Sequence, residues 1–315
     1  MPLQTGLKTQ KLKQTYYSNG KLLLTGEYVV LNGAKALAVP TKFGQSLTIE
    51  KGSNNLIQWK SFDSDHTIWF EDTIRFDEII SKTKSDAFSD VKTKLIAILH
   101  QAYIQNPTFI SKAKGYIIET KLTFPRHWGL GTSSTLLNNI AQWLNIDAFE
   151  LLQKSFGGSG YDIACAQTNE PIIYTLENGK PHFETVNFNP TFKENIHFVY
   201  LNKKQSSSNA ISNYISKQHK VDKIITKINT ITEETLLVNE GRDFALLMEK
   251  HQAIMSDVLE MLTVKEQLFH DFKGVVKSLG AWGGDFVMVL SKENPTEYFS
   301  KKGYTTILTY DEMVL

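Results

Sequence analysis

The chain has 315 residues, 41% hydrophobic and 21% charged, the make-up of an ordinary globular protein of about two domains. Its 34 Lys+Arg against 33 Asp+Glu leave a formal net charge of +1, so no global field recruits nucleic acid or an anionic bilayer. Cys165 is the only cysteine, which excludes an intrachain disulfide and a CxxC zinc or redox motif and fits a reducing compartment.

The first fourteen residues are polar and lysine-dotted, without the apolar segment of a secretory signal. The greasiest stretches, 21–31 and 95–104, are about half the ~20 residues a bilayer span requires. The expectation is a soluble, cytoplasmic protein.

The first third reads as strands: 21–26, ended by Gly26; 28–31, before the turn pair Asn32-Gly33; and 46–50, which alternates with period two. Residues 56–60 and 67–70 pair as a hairpin across Asp63, Ser64 and Asp65. The period then changes. Val91, Leu95, Ile98, Leu99 and Ala102 recur at helical spacing until Asn106-Pro107 stops them. A β-branched strand over 115–122 leads through a glycine loop into a helix whose face carries Leu136, Leu137, Ile140, Trp143 and Leu144. Asp147 caps a second helix ending near Phe156, before Gly157, Gly158 and Gly160. Strands resume at 171–176, 182–187 and 196–201. From 207 to 279 the pattern is helical, with Phe244, Leu247, Met248, His251, Ile254 and Leu262 in rhythm, and 286–290 is a buried strand. The expected division is a mixed β/α half, 1–180, and a helix-rich α+β half, 181–315.

Several chemistries are absent. No glycine-lysine pair is followed by Ser or Thr, so there is no Walker cradle. Gly129-Leu130-Gly131 is followed by Thr132, Ser133 and Ser134, so a dinucleotide fingerprint fails at its third glycine. There is no D-F-G, no H-E-x-x-H and no nucleophile elbow.

Three loops hold what chemistry remains. In 124–135, Gly129 and Gly131 let the backbone turn sharply, so that N–H groups and the start of the following helix point at one anion. Thr132, Ser133 and Ser134 add hydroxyls for phosphate or a hydrated Mg2+; an ordinary capped helix start has the same residues. In 157–164, glycines flank Ser159, and Asp162 stands at a helix start, where it accepts a hydroxyl proton, holds a cation or caps the helix. The third loop, 277–285, is glycine-rich and set between a helix and a strand, which also suits a helix C-cap with a turn.

With the opening Ser18-Asn19-Gly20-Lys21 through Gly26-Glu27-Tyr28-Val29-Val30, these loops resemble the GHMP kinases, the family of galactokinase, homoserine kinase, mevalonate kinase and phosphomevalonate kinase. The opening matches P-G-K-x-x-L-x-G-E-[HY]-x-V, 124–135 matches P-x-x-x-G-L-G-S-S-A, and 277–285 matches K-x-x-G-A-G-x-G-G. Asn19 departs from a proline, Thr132 from the first serine, Ser134 and Thr135 from the alanine pair, and Trp282 from a glycine. Glu150 is the one candidate for the magnesium-holding glutamate of mevalonate kinases, about a residue out of place.

The resemblance implies an α+β, two-domain fold: a ribosomal protein S5 domain 2-like N-terminal domain and a ferredoxin-like C-terminal domain, with ATP between them. It implies that Gly129, Leu130, Gly131, Thr132, Ser133 and Ser134 cradle phosphates and that Ser133 faces Mg2+. Asp162 then contacts the acceptor hydroxyl and Lys21 sits beside it. The G-S-G-x-D form of 158–162 resembles the mevalonate and phosphomevalonate kinases, whose acceptors are small and acidic. Lys203, Lys204, Ser206, Ser207 and Ser208 fall where relatives face the substrate, a position a solvated charged turn would also fill. The resemblance implies a monomer or homodimer without nucleic-acid or membrane partners. A catalytically silent nucleotide-binding sensor and a diphosphomevalonate decarboxylase-like enzyme are the alternatives. Arg126 and His127 read as loop surface, Glu27 as fixing the early turn, Trp59 and Trp69 as packing, and Cys165 as buried.

Overall fold

The computed structural model describes residues 13–82, 90–205, 207–216 and 221–315. Most of the polar start and Ser206 lie outside the described residues, as do the side chains of Ser207 and Ser208. Eleven strands form two sheets among the described residues. The larger holds β1 (Gln14–Leu23), β2 (Ala36–Lys51), β3 (Leu56–Phe62), β4 (Ile68–Arg75), β5 (Gly115–Leu122), β6 (Ile172–Glu177) and β7 (Lys180–Thr185). Its order is β4-β3-β5-β2-β6-β7 with β1 also on β2, and only β3–β5 is parallel. The smaller, antiparallel sheet has the order β11-β8-β10-β9, from β8 (Ile196–Tyr200), β9 (Val275–Ser278), β10 (Phe286–Leu290) and β11 (Ile307–Thr309). The boundary expected at 180/181 falls at the start of β7.

Alternation explains why one face of the large sheet is covered. Ile57 and Trp59 of β3 and Leu47 and Ile49 of β2 face helices Val91–Gln105, Thr132–Leu144 and Ala148–Ser155, which present Leu95, Ile98, Leu137, Ile140 and Leu151. Asp147 accepts the N–H groups of Phe149 and Glu150 and so starts the last of these. A second core joins the two sheets: Leu22, Leu37, Phe124 and Leu130 pack with Phe198, Phe244, Met248, Phe286 and Met288.

Several expected elements differ, and the strand expected over 21–26 is the end of β1, which stops at Leu23. Residues 28–31 are not a strand: Tyr28 turns at φ 63, a 3-10 helix runs Val29–Asn32, and Gly33 ends it at φ 90. The apolar run is explained by burial on two sides, since Val29 belongs to the core between the sheets and Val30 to a separate cluster with Ala164 and Cys165. The helical stretch expected up to 279 ends earlier, because β-branched Val275 and Val276 after Gly274 form β9. The strand expected over 182–187 begins at Lys180, since Asn178 (φ 51) and Gly179 (φ 76) make the two-residue hairpin turn that fixes its register on β6.

A charged group sits inside the seam between the sheets. Glu27 and Lys277 are 3% and 0% exposed, and the Lys277 ammonium donates to Glu27 Oε1 and, at 2.9 Å, to the Ser278 carbonyl. Burial pushes the Glu27 carboxyl up and the Lys277 ammonium down, and each partner's charge opposes the other's shift. Beside them His251, on the helix Gly241–Leu259, accepts the Gly26 N–H at 3.0 Å through Nε2, which also lies 3.2 Å from Glu27 Oε2. Burial, with Lys277 adding to it, holds this imidazole well below its usual 6.5. Folded His251 is therefore neutral where the unfolded chain takes up a proton, so its contribution to stability is present above about 6.5 and shrinks as pH falls. Wild-type protein should lose stability relative to His251→Gln between pH 7 and pH 5, by up to about 1.4 kcal/mol per pH unit, in urea unfolding across that range.

Candidate functional site

The strand β1 carries an irregularity between Asn19 and Lys21, and there it meets the glycine turn. Lys21 donates its backbone N–H to the Leu130 carbonyl at 3.0 Å. Leu130 itself is fully buried in the core between the sheets, so its side chain anchors the turn. Gly129 (φ 71) and Gly131 (φ 100) hold conformations that L side chains resist. The helix Thr132–Leu144 follows with no side-chain cap, which leaves its first-turn N–H groups and its positive dipole end for an anion.

The hydroxyls divide by direction. Ser133 is exposed, and among the described residues its hydroxyl makes no hydrogen bond. Ser134 and Thr135 are buried, and both bond back to the Gly131 carbonyl, at 2.9 and 3.0 Å. Thr135 also reaches Gln45 at 2.8 Å, so this departure from an alanine is absorbed by a buried polar network.

Lys21 runs its side chain along Gly131, where a β-carbon would come within 3.5 Å of it, and donates Nζ to the Gly129 carbonyl at 3.0 Å. The ammonium lies 5.7 Å from the centre of the Tyr161 ring. Asp162 follows Tyr161 on the short helix Tyr161–Ala166, which Gly160 starts at φ 92, and Oδ1 accepts the Ile163 N–H at 3.1 Å. Burial raises the Asp162 carboxyl above its ordinary range, while Lys21 and the Ser134 hydroxyl pull it down. Burial alone would lower the Lys21 ammonium, but Tyr161, Asp162 and Asp285 together carry it above its usual value. Lys21, the turn 129–131, Thr132, Ser133, Ser134 and Asp162 thus come together from three distant segments.

Other candidates lie elsewhere. Glu150 is exposed in the first turn of its helix. Lys203 and Lys204 are exposed, and Lys204 donates to the Arg126 carbonyl at 3.3 Å. Arg126 lies over Trp69 and near Asp63, His127 stacks by Tyr200, and Trp59 is core. Cys165 is fully buried, and burial pushes its thiol up. Two surface hollows, of about 570 and 330 Å3, lie away from the glycine turn, one by the C-terminus and one lined by Asn19, Asn138 and Gln142. They hold space, whereas the turn holds the ammonium, the carboxylate and the free helix end.

The loop after β9 differs from expectation, for it joins two strands and Lys277 points away from the turn into Glu27. Trp282 is buried, its backbone N–H donating to the Tyr28 hydroxyl at 2.7 Å and its indole to the Leu262 carbonyl at 3.0 Å. Sequence reasoning gave no role to Tyr161 or Asp285, although both fall inside the quoted loops. Asp285 packs on Gly129, where a β-carbon would stand 2.3 Å from its carboxylate.

Solved structures share this architecture. The Methanococcus jannaschii mevalonate kinase superposes with a TM-score of 0.68 at 16% identity, over 96% of this chain and 98% of that one. The Streptococcus pneumoniae phosphomevalonate kinase in complex with phosphomevalonate and AMPPNP gives 0.66 at 16%, over 92% and 95%. The Lactococcus lactis galactokinase complexed with galactose gives 0.66 at 14%, over 94% and 92%. No protein-family profile and no curated protein matches the sequence. The chain has the two-domain α+β fold of the GHMP kinases.

The glycines separate strain from contact. Gly280 (φ 69) has nothing within 4 Å of an added β-carbon, so Gly280→Ala should cost only the left-handed penalty of about 1–2 kcal/mol. Gly129→Ala adds the clash with Asp285 and should cost more in urea unfolding.

Proposed function

We propose that the chain is an ATP- and Mg2+-dependent small-molecule kinase of the GHMP type. It would transfer the γ-phosphoryl group to a hydroxyl or a phosphate of a small acidic metabolite, with mevalonate or phosphomevalonate the leading choices. The observation carrying this reading is the meeting of Lys21 and Asp162 at an uncapped helix start behind two positive-φ glycines. The fold of kinases solved with mevalonate, phosphomevalonate and an ATP analogue supports it. The reading carries with it a cytoplasmic setting, a monomer or homodimer, and a division into a phosphate-loop half, 1–180, and a covering half, 181–315.

The residues fit the group they are asked to hold. The helix Thr132–Leu144 has no side-chain cap, so the first-turn N–H groups of Thr132, Ser133 and Ser134 would receive phosphate oxygens beside the positive-φ turn of Gly129 and Gly131. The unengaged Ser133 hydroxyl would hold Mg2+, which when bound supplies charge neutralisation on the phosphates. Asp162 would accept the hydrogen bond of the acceptor hydroxyl and fix the direction of its attack. As the acceptor oxygen bonds to the γ-phosphorus, the bond to the β-phosphate oxygen breaks and ADP leaves with its electron pair. Where the acceptor is a hydroxyl its proton passes to Asp162, whose carboxyl burial raises above its ordinary range. Lys21 would orient the carboxylate and offset charge on the attacking oxygen.

A second reading, a catalytically silent nucleotide-binding relative, is favoured by the exposed Glu150, which leaves no evident helix carboxylate for the cation. A coupled assay of ADP release over a panel of acceptors separates the two, and release of CO2 would identify a decarboxylase instead. Asp162→Asn should abolish turnover while calorimetry still detects nucleotide binding; full activity in that variant would remove Asp162 from the chemistry. Lys21→Ala should lower kcat by about 10²-fold or more.

A further inference from the structure

Asp285 ends the loop between β9 and β10 and has no part in the chemistry just described. Its backbone adopts φ 52, a conformation that Asp and Asn tolerate better than other side chains. Its N–H donates to the Lys203 carbonyl and its carbonyl accepts the Leu201 N–H, both at 2.8 Å. The Gln205 N–H donates to Oδ1 at 3.2 Å. The segment 201–205 therefore fixes both the peptide and the carboxylate, and what it fixes them against is Gly129 of the anion-binding turn. Only 8% of Asp285 is exposed.

A carboxylate built into the edge of a phosphate cradle repels the phosphates unless a cation lies between them. Lys21 supplies one positive charge, but its ammonium is shared among the Gly129 carbonyl, Tyr161, Asp162 and Asp285 itself. Burial pushes the Asp285 carboxyl up, against the pull of Lys21, the Gln205 N–H and Lys204. Mg2+ takes oxygen ligands and is commonly held by one or two carboxylates together with substrate phosphates.

We propose, resting on the kinase reading above, that Asp285 faces the divalent cation that accompanies the nucleotide. It is then the acidic counterpart of the Ser133 hydroxyl, supplied from the opposite half of the chain. Cation binding would thereby join the two halves across the phosphate turn.

The test is calorimetric binding of a non-hydrolysable ATP analogue to wild type and Asp285→Asn, each with Mg2+ and with a chelator. Asparagine suits the positive φ and keeps an oxygen for the Gln205 N–H, and thermal melting verifies the fold. The variant should bind the Mg2+ complex at least tenfold more weakly. It should bind the metal-free analogue as tightly as wild type or more so, because a repulsive charge has gone. An unchanged dependence on Mg2+ overturns the proposal alone, as does an equal loss with and without the metal, which would mark Asp285 as a prop for the turn. If wild-type protein binds the analogue under neither condition, the kinase reading falls, and this assignment with it.

Discussion

The buried pair of Glu27 and Lys277 is the constraint around which the two halves are arranged. Two charges without water are tolerable only when each answers the other, and removing one partner of such a pair typically costs about 3–5 kcal/mol. That makes the seam specific: the turn after β1 has to meet β9 in one register. Gly26 on His251 and Tyr28 on Trp282 add neutral hydrogen bonds on either side of the charged contact. Lys21 lies six residues before Glu27 and Asp285 eight after Lys277, so a fixed seam carries both toward the glycine turn.

The turn illustrates how anchoring and openness are combined in a few residues. Leu130 is held by the core and Lys21 by the Leu130 carbonyl, so the backbone is rigid where its N–H groups must be pre-aimed. The inward serine and threonine satisfy the Gly131 carbonyl, and the outward serine is left unengaged. One short run of hydroxyl residues thus serves both packing and exposure, divided by helical geometry alone.

Much of this was legible in the sequence where local patterns and tertiary demands agree. The strand over 115–122, the Asp147 cap and the helix beginning at Thr132 follow from periodicity, capping chemistry and glycine placement. No local pattern in either segment pairs Lys21 with Asp162; only the order of the motifs points to it. Failures came where the fold overrides propensity. Val29 and Val30 look like strand residues because both are buried, yet two different clusters bury them around a 3-10 turn. Val275 and Val276 were lost in a long helical stretch because four residues are too few for a period to register. Asp285 was hidden for another reason: its meaning depends on Gly129, more than 150 positions away.

Cys165 has a practical corollary. The chain's sole thiol is sealed beneath the Asp162 segment, with burial pushing its ionisation up, so it is a poor nucleophile toward maleimides and oxidants. The native protein is accordingly a silent background for chemical labelling. Spectroscopic reporters attached at engineered surface cysteines, one per half, would follow the separation of the two sheets without interference from an endogenous signal.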